Sequence, residues 1–228
     1  MGNTSNKRRN KRAWTWGLVL LGALIVISFI VSKTDNSIDP ASFASIETFE
    51  DAAHEKGNFE SEIRLIEYSD FQCPACKAAA PAVKDLVENF GEQFVLEYRH
   101  FPLRQLHPNA QIGAQAAEAA AIQGKFWEMH DMLFEKQPEW GQSFNPERFF
   151  RGYAEELGLN VDRFRFDLES DEVKDRVNAD LAEAQALGIP GTPGFVYDGE
   201  IIQINTFISE NLQPIEIVQE GSALAPTE

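Results

Sequence analysis

A short apolar run that leads directly into a pair of cysteines constrains the fold of this chain more than any other feature. Residues 62–68 (EIRLIEY) have the β-favouring side chains of a buried strand. Cys73 and Cys76 then begin a helical pattern that ends at Gly91, and a second strand pattern follows at residues 93–101. Strand, helix and strand at this spacing predict a βαβ unit and therefore an α/β fold.

The remainder of the chain adds helices first and sheet afterwards. Residues 107–188 carry only helical patterns, which predicts an inserted helical subdomain. Strand patterns return at residues 195–197 and 201–204, and the Asp-Gly pair between them is typical of a hairpin turn. After the hairpin we expect a final helix interrupted by Pro214. Four phenylalanines are expected to fill the core of the insertion: Phe149, Phe150, Phe164 and Phe166.

The amino-terminal region predicts a membrane anchor. Residues 13–32 are uncharged, and a helix needs about 20 apolar residues to cross the hydrocarbon layer. Basic residues precede this stretch and no acidic residue occurs before Asp35, so the positive-inside rule places residues 1–12 in the cytoplasm. A cleaved signal peptide is the alternative, but no small-x-small cleavage pattern follows. We therefore predict an uncleaved, single-pass signal-anchor in the cell membrane.

The predicted organisation places a single folded domain outside the membrane. Its parts are a basic tail (1–12), one transmembrane helix (13–32), a linker (33–60), the α/β domain (61–220) and a flexible tail (221–228). The net charge of −16 disfavours nucleic-acid binding, because an acidic surface repels phosphate. Two cysteines are too few for a disulfide-stapled scaffold, but outside the cytoplasm they can be oxidised.

The cysteine pair predicts reversible disulfide chemistry. Two intervening residues, Pro74 and Ala75, place Cys73 at the helix start and Cys76 one turn further on. Free N–H groups and the positive end of the helix dipole stabilise a thiolate at the first position. Cys73 is therefore the expected nucleophile, and Cys76 is the expected resolving thiol.

Three other interpretations of the cysteines remain as alternatives. A zinc site needs about four ligands, and the four histidines do not have zinc-site spacing relative to the cysteines. A purely structural disulfide would close a very short loop and stabilise little. A copper-handling thiol pair would lack a methionine-rich or histidine-rich ligand cluster. We predict no metal site and no cofactor.

Several ordered segments resemble one known family, the DsbA-like thiol-disulfide oxidoreductases of the thioredoxin superfamily. The matching segments are IEYSDFQCPAC, YRHFPL, HPNA with the alanine-rich run after it, and GIPGTPGFVYDG. The resemblance extends from Ile63 to the hairpin after Thr192, which is nearly the whole predicted outer domain. It implies a thioredoxin-like fold with an inserted helical subdomain, preceded here by the predicted transmembrane helix.

The resemblance also implies roles for individual residues. Cys73 corresponds to the attacking cysteine and Cys76 to its buried partner. Thr192 and Pro193 correspond to a cis-proline step that lies against the disulfide and offers backbone groups to an extended substrate; a trans turn is the alternative. Glu67 corresponds to a buried acid that exchanges a proton with Cys76, and an edge-strand carboxylate in water is the alternative.

The expected function is extracytoplasmic disulfide exchange with thiol-containing secreted or membrane proteins, in the oxidising direction. The resemblance implies a membrane redox partner, either a quinone-linked oxidase or an electron donor. Ala75 replaces a histidine found in some relatives, which would lower the oxidising power. The same residues also fit a reductase or isomerase, because the reduction potential sets the direction. A thioredoxin-fold binding module or a copper-handling protein without turnover are further alternatives.

Overall fold

A five-stranded mixed sheet forms the centre of residues 54–213, the part of the chain that the structure, a computed structural model, describes. The strands are β1 (His54–Gly57), β2 (Arg64–Ser69), β3 (Val95–His100), β4 (Gly194–Tyr197) and β5 (Glu200–Ile202). The helices are α1 (Pro74–Phe90), α2 (Ala110–Ala121), α3 (Phe126–Glu135), α4 (Gln137–Trp140), α5 (Glu147–Glu156), α6 (Val161–Leu168), α7 (Asp171–Ala186) and α8 (Ile204–Asn211). The predicted tails (1–12 and 221–228) and the predicted membrane span (13–32) lie outside the described residues.

The sheet has the order β1-β3-β2-β4-β5, which makes β2 the central strand. Strands β2 and β3 are parallel, with Glu67 opposite Tyr98, and α1 connects them as the predicted βαβ unit. The other three pairings are antiparallel. Strand β2 therefore carries its side chains into the interior on both faces of the sheet, and it ends directly before the cysteines.

Helices cover both faces of the sheet. Leu65 and Leu96 pack with Val83 and Leu86 of α1, and Phe207 of α8 joins the same cluster. On the other face, buried Tyr68 and Val196 pack with Ala184 of α7. The alternation of side chains along β2 thus directs odd-numbered residues towards α1 and even-numbered residues towards α7.

The predicted helical insertion is present as α2 to α7, and it contains a short helix, α4, that the sequence did not predict. Phe150 and Phe164 are fully buried in its core. That core is continuous with Phe71, Cys76 and Tyr98, so the insertion packs directly on the cysteine region. Phe166 differs from the prediction, because 40% of its surface is exposed and it lies on the outer side of α6.

Two boundaries also differ from the prediction. Residues 54–57 belong to the predicted linker, yet they form β1 and pair antiparallel with β3. The sequence HEKG has no apolar alternation, and its strand conformation comes from backbone pairing at the sheet edge. Ile204 was predicted to end the hairpin but instead begins α8, which ends before Pro214.

The hairpin itself follows the prediction. Asp198 and Gly199 join β4 to β5, with φ angles of 49° and 78°. Two successive positive φ values are those of a type I′ turn, which Asp-Gly favours because its twist matches that of the strands. Among residues 54–213, no helix is long and apolar enough to span a bilayer.

Candidate active site

The two cysteines occupy the first turn of α1, as the sequence predicted. Cys73 is the N-cap residue, Pro74 follows at the first helical position, and the first turn contains no acidic side chain. Cys73 is 7% exposed, whereas Cys76 is completely buried. Both are thiols in the structure. A substrate sulfur can therefore approach only Cys73 from outside, and Cys76 can react only from behind it.

Burial gives Cys76 the properties of an internal partner. Desolvation is the largest influence on this thiol and raises its pKa to about 12, although contacts with the Ser69 and Thr192 side chains oppose the shift. At neutral pH Cys76 is consequently a protonated thiol whenever it is not in a disulfide. Any reaction that forms or releases Cys76 as a thiolate requires a proton acceptor or donor close by.

The loop before β4 lies against the cysteines. The peptide bond between Thr192 and Pro193 is cis, and the Cys73 thiol donates a hydrogen bond to the Thr192 carbonyl oxygen, with a sulfur to oxygen distance of 3.6 Å. Both loop residues are partly exposed. The structure thus brings the residues at 192 and 193 together with the cysteines, although 119 positions separate Cys73 from Thr192.

Glu67 lies inside the protein behind Cys76. It is on the central strand β2 and only 3% exposed, so the alternative of an edge-strand carboxylate in water is wrong. Burial raises its pKa to about 7, and a contact with Ser69 partly offsets this effect. Glu67 can therefore hold or release a proton near neutral pH, which is the property that the resemblance implied.

The loop that carries Cys73 is held by side chains from distant parts of the sequence. Asp70 accepts hydrogen bonds from the Gln72 backbone N–H (2.8 Å), the Leu103 backbone N–H (2.9 Å) and His107 Nδ1 (2.7 Å). Gln72 Oε1 accepts from the Asn109 backbone N–H at 2.6 Å. This network fixes the backbone immediately before the nucleophile.

A further bridge connects the loop to the helical insertion. Gln137, the first residue of α4, donates from Nε2 to the backbone carbonyls of Phe71 (2.8 Å) and Cys73 (3.0 Å). Sequence reasoning identified neither Gln137 nor Asp70, His107 and Asn109. No local pattern distinguishes them from surface residues, because their partners, apart from the Gln72 N–H that binds Asp70, are 31 to 66 positions away.

A second polar cluster lies in the interior between β1, β3 and α2. His54 Nε2 and His100 Nε2 are each 2.7 Å from Glu118 Oε1, and all three side chains are buried. Within residues 54–213 these are the residues with metal-ligand spacing. However, the carboxylate oxygen already accepts from both imidazoles, and Arg176 Nε lies 3.9 Å from it. We interpret the trio as a buried hydrogen-bonded cluster.

Comparisons with known proteins agree with this geometry. A thioredoxin family model matches residues 50–215. The crystal structure of a thioredoxin-like oxidoreductase from Silicibacter pomeroyi is 32% identical, covers 66% of this chain and 82% of its own, and superposes with a TM-score of 0.56. The thiol-disulfide exchange protein alpha-DsbA2 from Wolbachia pipientis shares the fold at 19% identity, with 71% and 86% covered and a TM-score of 0.60.

The curated relatives have higher identity and are larger proteins, and this chain matches only a part of each. A Na+/H+ antiporter, NhaA 3 of Salinispora tropica, is 42% identical over 149 residues, which cover 65% of this chain and 22% of the antiporter. The chain thus spans about a fifth of the length of such relatives. The family match over residues 50–215 establishes that the chain belongs to the thioredoxin family, and the cysteines lie at the start of α1 in a fold that is shared with alpha-DsbA2.

Proposed function

We propose that this chain is a thiol-disulfide oxidoreductase that transfers disulfides to secreted or membrane proteins through Cys73 and Cys76. The observation that carries the proposal is the arrangement at the start of α1. A slightly exposed sulfur, Cys73, lies 3.6 Å from the Thr192 carbonyl oxygen, and a completely buried thiol stands behind it. Such an asymmetric pair allows one sulfur to meet the substrate while the other stays protected from it.

The reaction proceeds by two exchanges. A substrate thiolate attacks Cys73 Sγ in the disulfide, and Cys76 is released as the Cys73–Cys76 bond breaks. A second substrate thiolate then attacks the substrate sulfur of the mixed disulfide, which forms the substrate disulfide and releases Cys73 as a thiolate. The protein ends as a dithiol and has to be reoxidised. We propose that a membrane redox partner performs that step.

The surface around Cys73 suits unfolded protein substrates. Leu106 is 73% exposed and precedes His107, which binds Asp70; Phe144 is fully exposed and follows Ser143, whose carbonyl accepts from Asn109. Both loops therefore border the loop that carries Cys73. Exposed apolar side chains at such a position favour contact with the apolar segments of chains that have not finished folding.

The proposed direction is oxidising and the proposed location is extracytoplasmic, with residues 13–32 as the anchor. Helix α1 begins directly after Cys73 and has no acidic side chain in its first turn, and the positive end of a helix dipole favours negative charge at such a position. A protein whose reduced form is stabilised donates its disulfide readily. Ala75 contributes no additional donor, so we expect a moderate oxidant.

Equilibration of the full chain with glutathione buffers tests the direction. We expect a reduction potential of about −180 mV or higher, the region of protein disulfide isomerase and stronger oxidants. A value near about −270 mV, that of thioredoxin, would instead assign a reductase. In parallel, Cys73→Ser should abolish exchange with a dithiol peptide, and Cys76→Ser should accumulate mixed disulfides. Unchanged turnover by Cys73→Ser would refute the proposed function and favour a binding module.

A further inference from the structure

Three buried side chains of the central sheet lie in the region of the buried thiol. Glu67 and Ser69 lie two positions apart on β2 and share the face that packs on α1, and Tyr98 is opposite Glu67 on β3. All three are at most 3% exposed, and Cys76 lies in the same cluster as Tyr98. The short side chain of Ser69 contacts both the Glu67 carboxyl group and the Cys76 thiol.

The Ser69 hydroxyl contacts both Glu67 and Cys76, but it forms a hydrogen bond of full geometry with neither. Its contacts lower the pKa of Glu67 and that of Cys76, in each case against a larger effect of burial. Within the described part of the chain, its oxygen is nevertheless buried without a hydrogen bond of full geometry. Buried hydroxyls normally have such a partner. A rotating hydroxyl between an acid and a thiol can donate to one while it accepts from the other.

We propose that the Ser69 hydroxyl relays a proton between the Glu67 carboxyl group and the Cys76 sulfur, a role that rests on the disulfide exchange proposed above. When a substrate thiolate attacks Cys73, the new sulfur–sulfur bond forms and Cys76 leaves as a thiolate. Ser69 gives its proton to that thiolate and takes the proton of Glu67, which becomes a carboxylate. The two transfers together move one proton from Glu67 to Cys76 and leave Ser69 unchanged, and the electron pair of the broken Cys73–Cys76 bond remains on Cys76.

The relay supplies the proton that the buried Cys76 thiolate needs when it leaves the disulfide. A thiolate whose conjugate acid has a high pKa is a poor leaving group, and the pKa of Cys76 is raised to about 12. Burial raises the pKa of Glu67 to about 7, so this carboxyl group can hold a proton near neutral pH and give it to such a thiolate. In the reverse direction the same path removes the proton from Cys76 before it attacks.

Glu67 can exchange its proton with solvent through a cavity that Cys76 does not line. It lines a cavity of about 90 Å³ between α1 and α3, which is large enough for several water molecules. Lys84 and Asp131 line the same cavity and are about half exposed, so it leads towards the surface. The titratable groups that face Glu67 from all neighbouring elements are Cys76, Tyr98, Lys56, Lys84, Glu88, His130 and Asp131.

The test is the rate constant for reduction of the Cys73–Cys76 disulfide by a dithiol peptide, measured by acid quench in the full chain between pH 5 and pH 9. The ratio of variant to wild-type rate constants cancels the ionisation of the peptide. We expect Ser69→Ala to be about 10- to 100-fold slower, with the ratio changing around pH 7 as Glu67 titrates. Ser69→Thr, which keeps a hydroxyl, should restore most of the rate.

Tyr68→Phe is the matched control, because it removes a buried hydroxyl from the opposite face of the same strand and should leave the ratio at one. Ser69→Gly replaces Ser69→Ala if the latter fails to fold. In a Cys76→Ser background, mixed-disulfide formation by Cys73 should be insensitive to Ser69→Ala. A wild-type rate in Ser69→Ala, or an equal loss in Tyr68→Phe, would overturn the relay. Absence of exchange by wild type would instead refute the proposed function.

Discussion

Two glutamates in the interior of this domain have the same burial and opposite protonation behaviour. Glu67 and Glu118 are 3% and 0% exposed, so both lose nearly all of their hydration. Glu118 accepts hydrogen bonds from His54 and His100, and these outweigh the desolvation and hold its pKa well below the usual range. Glu67 has only the weaker Ser69 contact, and burial raises its pKa to about 7.

The comparison shows that the hydrogen-bond partners of a buried carboxylate, rather than its degree of burial, determine whether it is ionised at neutral pH. A carboxylate with two imidazole donors stays ionised and serves the structure, since it connects β1, β3 and α2. A carboxylate without a cationic partner gains or loses a proton near neutral pH, and it lies behind the thiol that needs one. The following predictions separate these two roles.

The largest expected effect is on stability at Glu118. Glu118→Ala leaves two buried imidazoles without their acceptor, whereas Arg176 keeps its ion pair with Asp180. We expect the free energy of unfolding to fall by about 3–5 kcal/mol at pH 7. Urea unfolding followed by circular dichroism measures it. Glu67→Ala is the comparison and should lose much less, because no ion pair is broken; equal losses would contradict the distinction.

The second prediction concerns pH. The pKa of Glu67 is higher in the folded chain than in the unfolded chain, so between these values the folded state binds more protons and stability falls as pH rises. The contribution of the Glu67 proton to the free energy of unfolding should decline by about 3 kcal/mol between pH 4.5 and a little above pH 7. The difference between the free energies of unfolding of wild type and Glu67→Gln, measured as a function of pH, isolates this contribution. At Glu118 the sign is opposite, and stability should be lost as pH falls below about 4.5.

The third prediction concerns catalysis. Glu67→Gln retains the size of the side chain but cannot exchange a proton, so reduction of the Cys73–Cys76 disulfide should slow by about 10- to 100-fold at pH 7. Stopped-flow measurement with a dithiol peptide gives the rate constant. Glu88→Gln, which changes another acid of the same cavity, should react at the wild-type rate. If both variants slow equally, the cavity charge and not the proton of Glu67 is responsible.

The smallest expected effect is at one of the two histidines. His54→Gln removes one donor from Glu118 while His100 remains, so we expect a loss of about 1–2 kcal/mol and acid unfolding at a higher pH. Urea titrations at pH 7 and pH 4 provide both quantities. A loss as large as that of Glu118→Ala would mean that the cluster depends on both donors together.

The parts of the site that the sequence predicted are those with local signals. The strand, the cysteine pair and the helix are contiguous, so periodicity alone placed Cys73 at the start of α1. Thr192, Pro193 and Glu67 came from the family resemblance, and the structure brings them to the cysteines. Only the family is established for the chain as a whole; the roles of these residues and the membrane anchor stay predictions.

The residues that sequence reasoning missed depend on contacts across the fold. His54 and Glu118 are 64 positions apart, and His54 lay in a segment predicted as linker because HEKG has no strand pattern. Phe166 shows the reverse error: its apolar side chain suggested the core, but its place on α6 leaves 40% of it exposed. Periodicity identifies a face of a helix, and only the packing determines how wide the buried part of that face is.

The hydrogen bonds from Gln137 to the cysteine loop mean that the helical insertion stabilises the conformation of that loop. Because one amide group satisfies the carbonyls of Phe71 and Cys73, the insertion is part of the frame that holds the nucleophile. A shortened protein reduced to the sheet, α1 and α8 would expose both carbonyls and the apolar surface around Cys76. The insertion and the redox centre are therefore expected to unfold as one cooperative unit, and loosening α4 would loosen the active-site loop with it.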